Sequence, residues 1–384
     1  MRFEFSTATR IIFGLKTVDE AGAEAKSLGK RALLVLGGSG RHVARVLERF
    51  DDVGLAGHVF HVLGEPTVAL VNSGLQQARE LSCDLVVGIG GGSVLDTGKA
   101  IAGLLSNPGD IFDYLENVGA GKSMAQPSLP YIAIPTTAGT GSEVTRNAVL
   151  QVPEKRTKVS LRSPVLFPRL AIVDPELTCS MPPEITAASG MDALTQLVEA
   201  FLSNASHPIT DALCREGISR AARSLQAAFE DGGNLAARED MSLASMLSGM
   251  ALANARLGAV HGLAGPIGGM FSAPHGSVCA RLLPFVMDAN LRALRERSGR
   301  HPVLQRFDEV GRLLTGNQNA RAERGTEWLG SLCSSLQVPP LSAYGVNRSD
   351  FDEIAFHARS SSSMKGNPVL LTDEEVKVIL KNAL

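Results

Sequence analysis

The sequence predicts an α/β domain followed by an all-α domain: an N-terminal doubly wound, nucleotide-binding half and a C-terminal helical half. Three observations carry this. Short apolar runs alternate with helix-period segments as far as residue 178. Glycine-rich turns close two of those runs, at Gly37-Gly38 and Gly90-Gly91-Gly92. Beyond Asp174-Pro175, β-branched runs become rare and long alanine- and leucine-rich segments take over, a composition that favours helix.

Ala32–Leu36 is a short apolar run and reads as a buried strand. Val43, Val46, Leu47 and Phe50 then recur at helical spacing. His58–Leu63 reads as a second strand, followed by a helix carrying Val68, Val71, Leu75 and Ala78. Leu85–Ile89 is a third strand, and after its turn a helix runs through Ala100-Ile101. Tyr131–Ile134 and Leu170–Val173 complete the set. Such alternation predicts a largely parallel sheet covered by helices. The chain therefore divides into 1–178 and 179–384, with helices over roughly 184–203, 208–229 and 240–256 in the second part. Asp231-Gly232-Gly233-Asn234 and Gly316-Asn317-Gln318-Asn319 are loop signals between helices.

Bulk properties exclude several function classes. The 384 residues are 44% hydrophobic and 20% charged, with a formal net charge of −2, so no charge excess points to nucleic acid or an anionic membrane. No run approaches the ~20 apolar residues that a bilayer crossing needs. Met1-Arg2-Phe3-Glu4-Phe5 lacks the pattern of a secretory leader. The five cysteines, Cys83, Cys179, Cys214, Cys279 and Cys333, are scattered and form no CxxC pair. They read as core packing in a reducing compartment, and the protein as cytoplasmic.

Two loops have the chemistry of an anion or dinucleotide site. Gly90-Gly91-Gly92-Ser93 follows a strand and opens a helix, where free backbone N–H groups and the positive end of the helix dipole favour phosphate. Ser93 reads as the N-cap. Pro135-Thr136-Thr137-Ala138-Gly139-Thr140-Gly141-Ser142-Glu143 follows another strand and concentrates four hydroxyls near two glycines. Lys158 is a further candidate for a ribose or phosphate. Gly37-Gly38-Ser39 ends the first strand without the acidic residue that binds an adenosine ribose and repels a 2′-phosphate, so NADP is acceptable beside NAD.

A second constellation lies in the helical half. Asp192 and Gln196 stand four apart on one helix face. His261 reads as the end of a helical stretch and His275 as a residue beside a turn, in Pro274-His275-Gly276. Asp, His and His form a three-ligand set for zinc or iron with a position left for a substrate oxygen. Arg256 and Arg281 lie close by in sequence and are candidates for a substrate carboxylate.

Taken in order, these motifs resemble the iron-containing (group III) alcohol dehydrogenase family over nearly the whole chain. The carriers are Gly90-Gly91-Gly92-Ser93 with Asp96 and Lys99, the Pro135–Glu143 segment, Gly190-Met191-Asp192-Ala193-Leu194-Thr195, His261, Pro274-His275-Gly276, Leu282-Leu283-Pro284, and Asn367-Pro368 with Leu371-Thr372. The resemblance implies a dehydroquinate synthase-like fold with the active site in a cleft. It also implies hydride transfer between a nicotinamide and a small metal-held alcohol or aldehyde, and a homodimer. By position, Gly91, Gly92 and Ser93 take the pyrophosphate. Asp96, Thr136, Thr137, Thr140, Ser142 and Lys158 line the cofactor site, while Asp192, His261 and His275 hold the divalent metal, iron or zinc.

The chain departs from the family pattern at four places. Gln196 stands where the family has a histidine ligand, so Gln196 is a fourth, weak metal ligand, three ligands suffice as in the related glycerol dehydrogenases, or the metal is absent as in the similar maleylacetate reductases. Gly265 replaces a further histidine, Gly37 replaces an aspartate, and Glu65 stands where asparagine is common. Two alternatives follow: a metal-independent, maleylacetate-reductase-like enzyme, and a catalytically impaired nucleotide-binding sensor. A sugar-phosphate cyclase of the dehydroquinate synthase type would need a cluster of basic residues that the second half lacks.

Overall fold

The structure is a computed structural model describing all residues except 1, 38–42, 117, 156 and 300. It contains two compact units, Thr7–Cys179 and Ser180–Leu384, the latter joined by the N-terminal segment through Ser6.

The first unit carries β1 (Ile11–Phe13), α1 (Ala21–Leu28), β2 (Arg31–Gly37), α2 (Val43–Asp52), β3 (Ala56–Val62), α3 (Val68–Glu80), β4 (Leu85–Gly90) and α4 (Gly92–Ser106). It continues with β5 (Tyr131–Pro135), β6 (Asn147–Val152), β7 (Thr157–Arg162) and β8 (Leu170–Val173). Six strands form a parallel sheet in the order β1-β8-β5-β4-β2-β3. Side chains alternate between its faces. Leu33, Val35, Val86 and Ala133 pack with Val71, Leu75 and Ile101 of α3 and α4. Leu34, Leu36, Val87 and Ile132 pack with Ala25, Val46 and Phe50 of α1 and α2. Helices on both faces explain why the strands read as unbroken apolar runs. The expected parallel α/β unit is thus observed. The alternation did not anticipate β1 or the antiparallel β6–β7 hairpin.

Strand β2 has β3 on one side and β4 on the other, with Leu36 beside Ile89 near their carboxyl ends. The order of connection reverses at that pair. In open parallel sheets, ligands bind outside the strand ends at such a reversal.

The second unit is helical, as expected: α5 (Pro183–Leu202), α6 (Pro208–Glu230), α7 (Leu235–Asn254), α8 (Ala259–Phe271), α9 (His275–Ser298), α10 (Val303–Thr315), α11 (Ala322–Ser335), α12 (Phe351–Ser360) and α13 (Asp373–Ala383). Helix α5 is the central one, buried without interruption from Gly190 to Leu202 and packed on α6, α7 and α9. Gly276 permits the approach of α9, because a Cβ there would lie 2.2 Å from the Ala188 carbonyl oxygen on α5. Among the described residues no single helix is long and apolar enough to cross a membrane.

The boundary expected at 178/179 falls one residue later, and the first unit does not begin at residue 1. The N-terminal segment is held by the helices. Phe3 stacks on His207 with centroids 4.3 Å apart. The Ser6 N–H donates to Asn254 Oδ1 and its carbonyl accepts from Asn254 Nδ2. These contacts span about 200 residues or more of sequence, so local patterning carries no trace of them.

Candidate functional site

In the helical unit, three helices bring four ligand-type side chains together. Asp192 lies on α5, His261 in the first turn of α8, and His275 and Cys279 in the first two turns of α9. One atom from each falls within 4.8 Å of the others. Asp192 Oδ1 lies 3.3 Å from His261 Nε2 and 3.7 Å from His275 Nε2. Cys279 Sγ lies 3.6 Å from His275 Nε2 and 3.9 Å from His261 Nε2. The expectation that His261 ends a helix is corrected: it lies in the first turn of α8, after the Gly258 N-cap, and His275, read as beside a turn, is the first residue of α9 after Pro274.

The second layer fixes the first. Glu199, seven residues after Asp192 on the same face of α5, is buried. Its carboxylate accepts the backbone N–H groups of Val260 at 2.7 Å and His261 at 3.3 Å, and so caps α8. It also accepts from His261 Nδ1 at 2.6 Å. A carboxylate is acceptor-only, so Nδ1 carries a proton and Nε2 is the nitrogen turned to the cluster. Asn367 caps the same helix through Ala259 N and is held by Asn290. Gly258 leaves room for this cap, since a Cβ there would come within 2.7 Å of Glu199 Oε1 and displace it.

Gln196 Nε2 donates to Asp192 Oδ2 at 3.1 Å, and Gln196 Oε1 accepts from Ser248 at 2.9 Å. The amide thus turns Asp192 so that Oδ1 points into the cluster. Oδ1 is buried and makes no hydrogen bond among the described residues. Burial alone would raise the Asp192 carboxyl. The His261 and His275 imidazoles outweigh it and hold it below the usual carboxylate range. A buried acceptor without a donor is costly, and a cation would satisfy it. The donor set suits a divalent metal: one carboxylate oxygen and two imidazole nitrogens converge on a single point. His275, with 38% of its side chain exposed, forms the open side of the cluster.

In the α/β unit the two candidate loops meet. A Cβ on Gly91 would lie 3.2 Å from Thr137 Cγ2, and one on Gly92 would lie 2.9 Å from Thr140 Cγ2. The Thr136 N–H donates to the Gly90 carbonyl. The N-cap of α4 is Gly91, not Ser93, and no side chain caps it, which leaves the helix end to an anion. Gly37 ends β2 beside β4. Gly38 and Ser39 lie outside the described residues.

The chain matches the model of the iron-containing alcohol dehydrogenase over residues 8–175, and that of the C-terminal part of the Fe-containing alcohol dehydrogenase family over residues 186–384. It belongs to the iron-containing alcohol dehydrogenase family. Alcohol dehydrogenase 4 of Saccharomyces cerevisiae is 39% identical over 346 residues, covering 86% of this chain and 87% of the relative. A solved 1,3-propanediol oxidoreductase superposes with a TM-score of 0.93 at 34% identity, covering all of both chains. The sulfoacetaldehyde reductase of Bifidobacterium kashiwanohense, solved with NAD+, gives 0.88 at 29% identity and covers 100% of this chain and 99% of its own. These neighbours agree with the dehydroquinate synthase-like fold that the motifs implied.

Several motif residues of this family member have structural employment here. Asp96 accepts from the Ser142 hydroxyl at 2.5 Å and from the Val149 N–H at 2.8 Å, tying α4 to the second loop and to β6. Lys99 is fully buried and donates to the Ser142 and Asn147 carbonyls and to the Ser142 and Thr145 hydroxyls. Lys158 is paired with Glu65 at 3.0 Å, which gives the unusual glutamate a partner. Arg281 donates to the Ala383 and Asn382 carbonyls and is thereby committed to the C-terminus rather than to a substrate carboxylate. Sequence reasoning missed Glu199 and assigned Cys279 to core packing. The available signal was spacing: Glu199 follows Asp192 by seven, and Cys279 follows His275 by four.

Proposed function

We propose that this alcohol dehydrogenase transfers hydride between NAD(P) and a small alcohol or aldehyde at a divalent metal held by Asp192, His261 and His275. The observation that carries the proposal is the buried Asp192 Oδ1, without a hydrogen bond that meets ordinary geometry among the described residues, facing two imidazole Nε2 atoms at 3.3 and 3.7 Å. When bound, the metal supplies Lewis-acid polarisation of the substrate carbonyl. The chain's own residues do the rest. Glu199 holds the His261 proton on Nδ1 and keeps Nε2 available. Gln196 orients Asp192. The burial of Asp192 and His261 keeps water from that side, and the exposed flank of His275 admits substrate.

For the cofactor, the uncapped start of α4 at a sheet reversal supports pyrophosphate binding by Gly91, Gly92 and Ser93. Thr136, Thr137 and Thr140 lie alongside, Asp96 and Ser142 stand behind them, and Lys158, paired with Glu65, is the further candidate for a ribose or phosphate. Gly37 places no carboxylate at the end of β2, which supports acceptance of NADP as well as NAD. The accompanying homodimer reading rests on the family resemblance, and the cytoplasmic one on the scattered cysteines, all free where described. The reading is tested by mixing purified protein with NADH or NADPH and a panel of small aldehydes. Loss of nicotinamide absorbance with at least one aldehyde is expected. Cofactor binding without turnover of any aldehyde would overturn it.

A further inference from the structure

Cys279 is fully buried on α9, and its sulfur faces two imidazole nitrogens rather than an apolar core. The spacing fits a metal site. With nitrogen and oxygen ligands about 2.0–2.1 Å from zinc and sulfur about 2.3 Å, tetrahedral angles put N–O edges near 3.3 Å and N–S edges near 3.6 Å. The two carboxylate–imidazole separations are 3.3 and 3.7 Å. The two sulfur–imidazole separations are 3.6 and 3.9 Å. Four of the six edges of one tetrahedron are therefore already close to their metal-bound lengths, and two of those belong to sulfur. Gln196, the other candidate for a fourth ligand, has its amide nitrogen on Asp192 and its oxygen on Ser248.

We propose that Cys279 Sγ is a metal ligand, giving an Asp192–His261–His275–Cys279 set to which a substrate oxygen would add as a fifth ligand, an expansion that zinc accepts. The proposal rests on the metal reading above but is separable from it, because three ligands could hold a cation with the thiol as bystander. Binding converts the thiol to a thiolate and releases its proton to solvent. Thiolate and carboxylate together neutralise a divalent cation. A sulfur ligand favours zinc over a harder ion and shifts the site away from the all-nitrogen-and-oxygen set that suits ferrous iron.

The test is zinc-edge X-ray absorption on the zinc-loaded protein, with the cobalt-loaded form followed by near-ultraviolet spectroscopy. One sulfur scatterer at about 2.3 Å is expected beside shorter nitrogen and oxygen shells, with a sulfur-to-cobalt charge-transfer band. Cys279→Ser loses both, whereas Cys214→Ala, whose thiol lies on α6, keeps them. Stoichiometric metal with nitrogen and oxygen scatterers alone would overturn the Cys279 proposal and leave the three-ligand reading intact. Failure to take up either metal would overturn both. The wild-type spectra decide the question even if a variant does not fold.

Discussion

Glu199 Oε2 lies 2.6 Å from His261 Nδ1 while the same carboxylate caps the helix that begins two residues before His261. One side chain therefore sets where the helix starts and which imidazole nitrogen is free. Both tasks use its charge, since an ionised acceptor strengthens hydrogen bonds and favours a helix N-terminus.

Glu199→Gln keeps the shape but gives the His261 side an amide that can donate. If the amide N–H faces Nδ1, the imidazole proton moves to Nε2, where it blocks the cluster. Metal affinity is expected to fall 10–100-fold, the usual cost of a lost outer partner. Stability is expected to fall by about 1–2 kcal/mol from the weakened cap. Competition with a chelator and a thermal melt measure the two effects. Unchanged metal affinity would show that the carboxylate is only a cap.

The Glu65–Lys158 pair bears on the cofactor. Its 3.0 Å contact joins a half-exposed carboxylate to a less exposed ammonium, and such pairs contribute about 0.2–1 kcal/mol. Glu65→Asn frees the lysine, so the dissociation constant for NADPH should drop by up to about five-fold at low salt. The gain should shrink at high ionic strength. Fluorescence titration reads it, and an effect that ignores salt would place Lys158 away from the cofactor's charges.

Glu143, in the second loop, is 2% exposed. Burial pushes its carboxyl up to about 7, only partly offset by its own backbone N–H and by the Lys99 ammonium. The folded state thus holds this proton more tightly than the unfolded chain. That contribution to stability is full below the unfolded value and is lost as pH rises to about 7. Glu143→Gln should therefore improve in stability relative to wild type between pH 5 and pH 8, by up to about 3 kcal/mol. Urea unfolding at the two pH values checks this. A pH-independent difference would contradict the burial account.

The sequence made the sheet legible because β2, β4, β5 and β8 are buried on both faces and leave continuous apolar runs. Strand β1 is three residues long and half-buried, too short to leave a pattern. The β6–β7 hairpin buries alternate residues, but Val149 on the less buried face of β6 blurs that alternation in the sequence. In the site, Asp192, His261 and His275 were visible as residue types in unusual settings. The contribution of Cys279 depends on α9 starting at His275, which puts residues four apart on one face. With His275 read as a loop residue, that relationship had no meaning. Glu199 was hidden for a similar reason, because it acts on the start of a helix that begins 60 residues later. Its spacing from Asp192 marks a shared face but not the partner.

The central claim is that Asp192, His261 and His275 hold a catalytic divalent metal, and metal content tests it most directly. Elemental analysis of protein purified without added metal, for wild type and Asp192→Ala, should give about one divalent ion per chain in the first and little in the second. Aldehyde reduction should fall in step with the metal. A wild-type protein free of metal yet fully active with a nicotinamide and an aldehyde would contradict the account.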